Sequence, residues 1–245
     1  SIYSAFLTPQ GKFLYDFFIV KENDYFLIEC NKNYSEDLIM EFKKYDLRQD
    51  INISVQKHIK TKVMLKNKLK DSLLFELKNK KIIRTKNFIM LDDPRCENFL
   101  VRFWIKNEDK NLSTLRFSSE DEVELERIIL KIPNSETDME NGKSFILNYN
   151  FDLINAISFK KGCFIGQENT ARQKYRGTKK YSLKTIKIIE GELPSFNEDM
   201  FYKEKKIGTI KSSIKNLSLC LLKNDESLLN LKEIRTDKNL LFQII

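Results

Sequence analysis

The sequence predicts an α+β protein whose last third is a β-rich unit, a small barrel or sandwich. Three observations predict it. Short apolar runs bounded by turn signals dominate both ends of the chain, amphipathic helical stretches interrupt the first two thirds, and after residue 178 only short strands follow, with no long helix.

The elements follow in order. Ile2 to Leu7 is strand-like from its first residue, and Thr8-Pro-Gln-Gly11 is a turn in which Pro fixes φ and Gly supplies freedom. Phe13 to Val20 is a buried strand interrupted only by Asp16, Lys21 to Asp24 is a second turn, and Tyr25 to Glu29 is the returning strand. Leu38, Ile39, Phe42 and Tyr45 give residues 35–46 a helical apolar face. The segments 51–58, 73–77, 81–90 and 99–105 read as strands. Ser119-Glu-Asp-Glu122 is a capping box that opens a helix through Leu130, with its acids in the first turn and Pro133 beyond its end. Strands at 181–189, 207–212, 217–222 and 240–245 complete the chain.

Composition narrows the classes. A chain of 245 residues, one large or two to three small domains, buries roughly 70% of its unfolded surface and needs no staples. With 41% hydrophobic and 32% charged residues it is neither disordered nor fibrous. The charge of +8 suits an anionic partner, but only nine of the 43 basic residues are Arg, so a solvated lysine-rich surface explains it as well. Cys30, Cys96, Cys163 and Cys220 are spaced 66, 67 and 57 apart, which excludes C-x-x-C metal sites and suggests a reducing compartment. The one histidine, His58, sits on the polar face of the alternating run 51–58 and reads as a surface residue. No run of 18 apolar residues and no secretory signal pattern occurs, so neither a membrane span nor export is expected; the expected location is the bacterial cytoplasm, or the mitochondrial matrix in a eukaryote.

The one motif that carries chemistry stands out through glycine. Of only seven glycines, Gly162, Gly166 and Gly177 fall within Lys161-Gly-Cys-Phe-Ile-Gly-Gln-Glu-Asn-Thr-Ala-Arg-Gln-Lys-Tyr-Arg-Gly177. Such clustering implies a backbone need, either positive φ or close approach to a ligand. Residues 167–175 read as a helix with Glu168 and Arg172 at i, i+4. Cys163 would then precede a helix N-terminus beside Lys160 and Lys161, a setting that stabilises a thiolate. A small buried thiol that only packs is the alternative.

The stretch Lys161-Gly-Cys-Phe-Ile-Gly-Gln-Glu168, with Ala171-Arg172 and Arg176-Gly177, resembles the K-G-C-[YF]-x-G-Q-E…A-R…R-G signature of the YgfZ family. These are folate-binding relatives of the glycine-cleavage T-protein, described as iron–sulfur cluster assembly factors. Phe6-Leu-Thr-Pro-Gln-Gly-Lys…Asp16, Tyr45-Asp-Leu-Arg48, Asp93-Pro-Arg95, Ile132-Pro133…Asp138 and Gly208-Thr-Ile-Lys-Ser212 resemble further family segments, in order along the whole chain. Three departures stand out. The family pattern normally begins some forty residues before the strand at which this sequence opens, Lys131 replaces the Gly of G-I-P, and Ile146-Leu-Asn148 stands where P-x-E is usual.

The resemblance implies a T-protein-like three-lobed fold lacking its N-terminal element. Residues 1–177 would form the folate-binding region, as interleaved subdomains (1–55 with 118–165, and 56–117), and 178–245 the C-terminal β-barrel. It implies tetrahydrofolate or a derivative as cofactor, a transient iron–sulfur cluster, and iron–sulfur client enzymes and assembly proteins as partners. Asp16 would face the pterin and reaction centre, and Arg127 would meet the folate glutamate tail; an Asp at a strand edge and a helix-surface cation are the alternatives. Cys163 would be the working group and a shared, transient metal ligand, since one Cys cannot hold a four-iron cluster. Lys161 would steady the thiolate, Gly162, Gln167 and Glu168 would shape the loop and cofactor site, and Arg172 would pair with Glu168 or a ligand carboxylate. Asp93-Pro-Arg95 reads as a structural turn. Two other functions remain open: folate-dependent aminomethyl transfer, and binding of RNA or tRNA that affects tRNA modification. The Cys-containing loop argues against the first, and the placing of aromatics in apolar strand runs against the second.

Overall fold

The computed structural model describes residues 1–245, residue 111 by its backbone alone. The elements are β1 (Ile2–Leu7), β2 (Phe13–Lys21), β3 (Phe26–Cys30), α1 (Ser35–Lys43), β4 (Lys60–Leu65), α2 (Asp71–Lys80), β5 (Ile82–Arg84), β6 (Phe88–Asp92), β7 (Leu100–Ile105), α3 (Lys110–Ser113) and α4 (Glu120–Ile129). Then follow α5 (Gln167–Tyr175), β8 (Tyr181–Glu190), β9 (Asp199–Tyr202), β10 (Lys205–Ile214), β11 (Leu217–Lys223), α6 (Glu226–Leu229), β12 (Ile234–Arg235) and β13 (Leu241–Ile244). The chain divides into two compact units, residues 1–5 with 15–119, and residues 6–14 with 120–245.

The first unit holds the antiparallel sheet β4-β7-β6-β5 and most of the sheet β1-β2-β3. Its core gathers Met64, Leu77, Met90, Val101 and Phe103, so α2 packs Leu77 against the four-stranded sheet. Each such buried side chain contributes about 1.5–3 kcal/mol. Two expected strands are absent here. Residues 73–77 lie inside α2, because Leu73, Leu74 and Leu77 share a helical face, with Asp71 in the first turn and Lys78 and Lys80 in the last. Residues 51–58 have no regular structure, and β4, with its alternating Lys60-Thr-Lys62-Val, forms the edge of the sheet instead. His58 is exposed, as expected of a surface residue.

The second unit is built on the antiparallel sheet β12-β13-β8-β11-β10-β9, which curls into a nearly closed barrel. Asp237, just past β12, bonds across to β9 and its turn. Its N–H donates to the Phe201 carbonyl at 3.0 Å, and its carboxylate accepts from the N–H groups of Lys203 and Glu204 at 3.0 and 2.9 Å. Ile186, Ile210, Cys220, Leu222 and Phe242 fill its interior. The helix α4, expected from its capping box, ends in a Schellman motif: Lys131 N–H donates to Ile128 C=O and Ile132 N–H to Arg127 C=O. Lys131 takes φ +59°, the left-handed position where the family pattern has glycine.

Candidate functional site

The second unit brings the two most specific motif segments together. Thr8-Pro-Gln-Gly11 forms the expected turn, with Gly11 N–H on the Thr8 carbonyl at 2.8 Å and Lys12 N–H on Thr8 Oγ1 at 3.2 Å. Gly166 caps α5 at φ +79°, and a Cβ there would lie 2.6 Å from Gly11 Cα. Asn169 Nδ2 donates to the Gln10 carbonyl at 3.0 Å, and Thr170 Oγ1 to the Gly166 carbonyl at 2.9 Å. Two of the clustered glycines, Gly166 and Gly177, thus have positive φ. Gly162 differs: its φ is ordinary and a Cβ there would meet nothing within 4 Å.

Cys163 is exposed on the loop four residues before α5, which excludes the buried packing thiol. Gln167 shapes that loop, since its Oε1 accepts from Phe164 N–H at 3.0 Å. The Lys161 ammonium lies 5.2 Å from the centre of the Phe164 ring. Glu168 and Arg172 pair at 3.0 Å along the helix surface, with Glu168 85% exposed, so the pair adds little stability. Lys174 ties α5 to Asp152 at 2.6 Å. Among the described residues, Asp152 Oδ1 and Asn148 Oδ1 are buried side-chain atoms without a hydrogen-bond partner; Asn148 stands where the family pattern has glutamate. The other cysteines differ in setting. Burial pushes the Cys220 thiol up to about 12, and burial together with the charges of Asp16 and Glu29 raises that of Cys30.

Arg127, expected on the helix surface or at a folate tail, is instead buried within the unit and fully engaged there. Its Nε donates to Glu124 at 2.6 Å, Nη1 to Asp138 at 2.8 Å and the Ile132 carbonyl at 3.3 Å, and Nη2 to Glu124 and to Ser212 Oγ at 2.5 Å. A guanidinium has five N–H donors, and these five bonds use them all. The segments around Pro133, Asp138 and Gly208–Ser212 are thereby joined through one buried cation. The cause of this departure is distance in sequence: Asp138 and Ser212 lie 11 and 85 residues away.

In the first unit, Asp16 is half-buried on β2 and takes two tyrosine hydroxyls, Tyr3 on Oδ2 at 2.7 Å and Tyr34 on Oδ1 at 2.8 Å. Burial and the Asp16 charge hold the Tyr3 hydroxyl well above its ordinary value, so it stays a donor. Neither tyrosine was singled out by the sequence, although Tyr3 lies on β1, the neighbour of β2 in the sheet.

Asp93-Pro-Arg95 is the expected structural turn, and it anchors a buried ion network. Asp93 accepts from Arg95 Nε at 3.0 Å and Arg95 Nη2 at 2.8 Å, and from Arg102 Nη1 at 3.1 Å; Arg102 also bonds Glu29, which Trp104 Nε1 joins. The guanidiniums of Arg95 and Arg102 stack over the Phe18 ring at 5.0 and 3.9 Å.

Among the described residues no group of three or more His, Cys, Asp or Glu side chains could hold a metal ion. Among the described residues no helix is long and apolar enough to cross a membrane.

No protein-family model matches the chain. Curated relatives do. It is 29% identical over 214 residues to the Neurospora crassa iron-sulfur cluster assembly factor IBA57 homolog, mitochondrial, covering 80% of this chain and 47% of that protein. It is 24% identical over 194 residues to the human mitochondrial iron-sulfur cluster assembly factor IBA57, covering 77% and 54%. A shorter match, 39% over 70 residues, covers 27% of this chain and 22% of the Escherichia coli tRNA-modifying protein YgfZ. The chain spans about half the length of the mitochondrial relatives it matches. Among solved structures, the glycine cleavage system aminomethyltransferase T of Bartonella henselae superposes with a TM-score of 0.71 at 9% identity, covering 99% of this chain and 74% of that one. The fold is that of the glycine-cleavage T-protein.

Proposed function

We propose that this chain, a relative of the YgfZ and IBA57 iron–sulfur cluster assembly factors, is a folate-dependent accessory protein. It supports the assembly, insertion or repair of [4Fe–4S] clusters in client enzymes, and Cys163 is its working group. The observation that carries this reading is the exposed cysteine on a loop fixed at its base by the Gly11–Gly166 contact. A thiol held out on a rigid mount can meet a second protein, whereas a buried one cannot.

The cluster is cargo. A four-iron cluster takes about four ligands, and Cys163 supplies one, so the rest come from a partner protein or a small thiol. Ligation replaces the thiol proton, which leaves to solvent. Lys161 steadies the thiolate, Gly162 leaves the loop open to close approach, Gln167 holds the turn, and Glu168 and Arg172 line the exposed face of the helix that follows.

The T-protein fold supports a folate role. Asp16, a half-buried carboxylate flanked by two tyrosine hydroxyls, fits the N–H donors of a pterin as acceptor. Arg127 does not fit the glutamate tail, because its donors are spent inside the unit.

Calorimetric titration with tetrahydrofolate tests the cofactor assignment. Asp16→Asn is expected to weaken binding at least about tenfold, while Cys163→Ala leaves it unchanged. Equal binding by Asp16→Asn would remove Asp16 from the site. The name of the Escherichia coli relative favours a second reading, action on tRNA modification, and a saturable nanomolar tRNA complex at physiological salt would support it.

A further inference from the structure

Cys163 lies within residues 160–165, the six that lead into α5. The far side of this loop is held at the start of the helix, by the Gly11–Gly166 contact and by two bonds between Phe164 and Gln167. Phe164 N–H donates to Gln167 Oε1 at 3.0 Å, and Gln167 N–H to the Phe164 carbonyl at 3.1 Å. The near side is held at the opposite end of α5. The Phe159 ring meets the Tyr175 ring edge to face, 5.7 Å between centroids and 73° between planes. The Lys174 ammonium lies 6.0 Å from the centre of the Phe159 ring and also donates to Asp152 Oδ2 at 2.6 Å. Asp152 is itself well mounted. Its side chain is only 9% exposed, its neighbours Phe151 and Ile154 are buried, and Asn150 Nδ2 ties the segment to the Leu183 carbonyl of β8 at 3.0 Å. Because Asp152 Oδ1 has no hydrogen-bond partner, loss of Lys174 would leave a buried carboxylate without a direct one.

We propose that Asp152, Lys174 and Phe159 form a clamp that positions Cys163. The buried carboxylate holds the ammonium, the ammonium and the Tyr175 edge hold the ring, and the ring fixes where the chain enters the loop. The proposal rests on Cys163 being the working group. α5 is nine residues long, so its ends lie about 12 Å apart. Six extended residues reach roughly 20 Å, so the loop has slack, and Gly162 adds backbone freedom to it. Pinned on one side only, the thiol would sweep a wide arc. Pinned to both ends of one helix, it is offered to a partner in one place, which lowers the entropy cost of meeting it. A staple meant only for the end of α5 would need Asp152 and Lys174 alone; the ring from the preceding segment has no part in that task. None of the three side chains touches the cargo, so all three are positioning residues.

A nitroxide on Cys163, read by electron paramagnetic resonance, tests this without cluster or folate. The full chain carries Cys30→Ser and Cys96→Ser, and Cys220 is buried, so the label goes to Cys163. Lys174→Met and Asp152→Ala are each expected to shorten the rotational correlation time of the nitroxide about twofold or more. Phe159→Leu, which keeps the ion pair, is expected to do the same, and it is the variant to read if loss of the pair unfolds the unit. Lys174→Arg keeps a cation between carboxylate and ring and is expected to leave the signal unchanged. Ser212→Ala weakens the same unit at the Arg127 network and is also expected to leave it unchanged. In cells lacking their own gene, unlabelled Asp152→Ala and Phe159→Leu chains are expected to accumulate normally yet lower [4Fe–4S] enzyme activity about threefold or more. A nitroxide that neither Lys174→Met nor Phe159→Leu mobilises would overturn the proposal. So would equal mobilisation by Ser212→Ala, or full enzyme activity from a chain whose loop is mobilised. None of these results removes the role of Cys163, which is read from Cys163→Ala in cells.

Discussion

Gly166 meets Gly11 backbone to backbone, and a Cβ on Gly166 would lie 2.6 Å from Gly11 Cα, 2.7 Å from the Thr8 carbonyl oxygen and 2.8 Å from Gly11 N. Both residues also hold positive φ, +79° and +76°. Sterics and dihedral therefore act together. Gly166→Ala is expected to lower unfolding free energy by about 2–4 kcal/mol, read as a lower urea midpoint at unchanged slope. Gly162→Ala, which meets nothing, is expected to change it by less than about 0.5 kcal/mol. If both variants unfold alike, the contact does not hold the loop.

Lys131 closes the Schellman turn of α4 at φ +59°. A lysine there carries left-handed strain of roughly 1–2 kcal/mol, partly offset because glycine is more disordered when unfolded. Lys131→Gly is expected to stabilise the chain by about 0.5–1 kcal/mol, measured by the same urea titration.

Arg127→Ala strips Asp138 of its buried cation and is expected to cost about 3–5 kcal/mol. Ser212→Ala, which removes one neutral partner from that network, is expected to cost about 1 kcal/mol. A normal urea midpoint for Arg127→Ala combined with weaker folate binding would return Arg127 to the ligand.

Asp93 sets an acid limit on the first unit. Burial alone would raise its affinity for a proton, but the adjacent Arg95 and Arg102 guanidiniums outweigh burial and hold the carboxyl below its ordinary value. Its folded value is thus lower than its unfolded one. The stability it contributes is present above about pH 4 and is lost as pH falls through the folded value. Asp93→Asn is expected to destabilise the protein at pH 7 and to flatten the loss of stability below pH 4. An unchanged acid limb in this variant would place that titration elsewhere.

Local chemistry made part of this legible from residues alone. The Thr8–Gly11 turn and α5 announce themselves through turn residues and i, i+4 pairing, and α4 through its capping box. The alternation of 51–58 misled because a strand needs a partner to accept its hydrogen bonds, and none takes them. Residues 73–77 misled because a five-residue apolar window fits either period, and the charges at both ends of α2 were the deciding signal. Arg127 was misplaced for a different reason: helix periodicity assigns a face, but the buried carboxylate and hydroxyl that capture this cation come from other segments. The same holds for Tyr3 and Tyr34, whose convergence on Asp16 depends on the pairing of three strands and the turn after them.

The central claim is that Cys163 supports iron–sulfur enzymes. In a strain whose own gene is deleted, the activity of [4Fe–4S] enzymes, normalised to an enzyme without a cluster, measures it directly. Cys163→Ala is expected to accumulate and unfold like the unmodified chain while leaving those activities at the level of the deletion. Restoration to the level given by the unmodified chain would contradict the account.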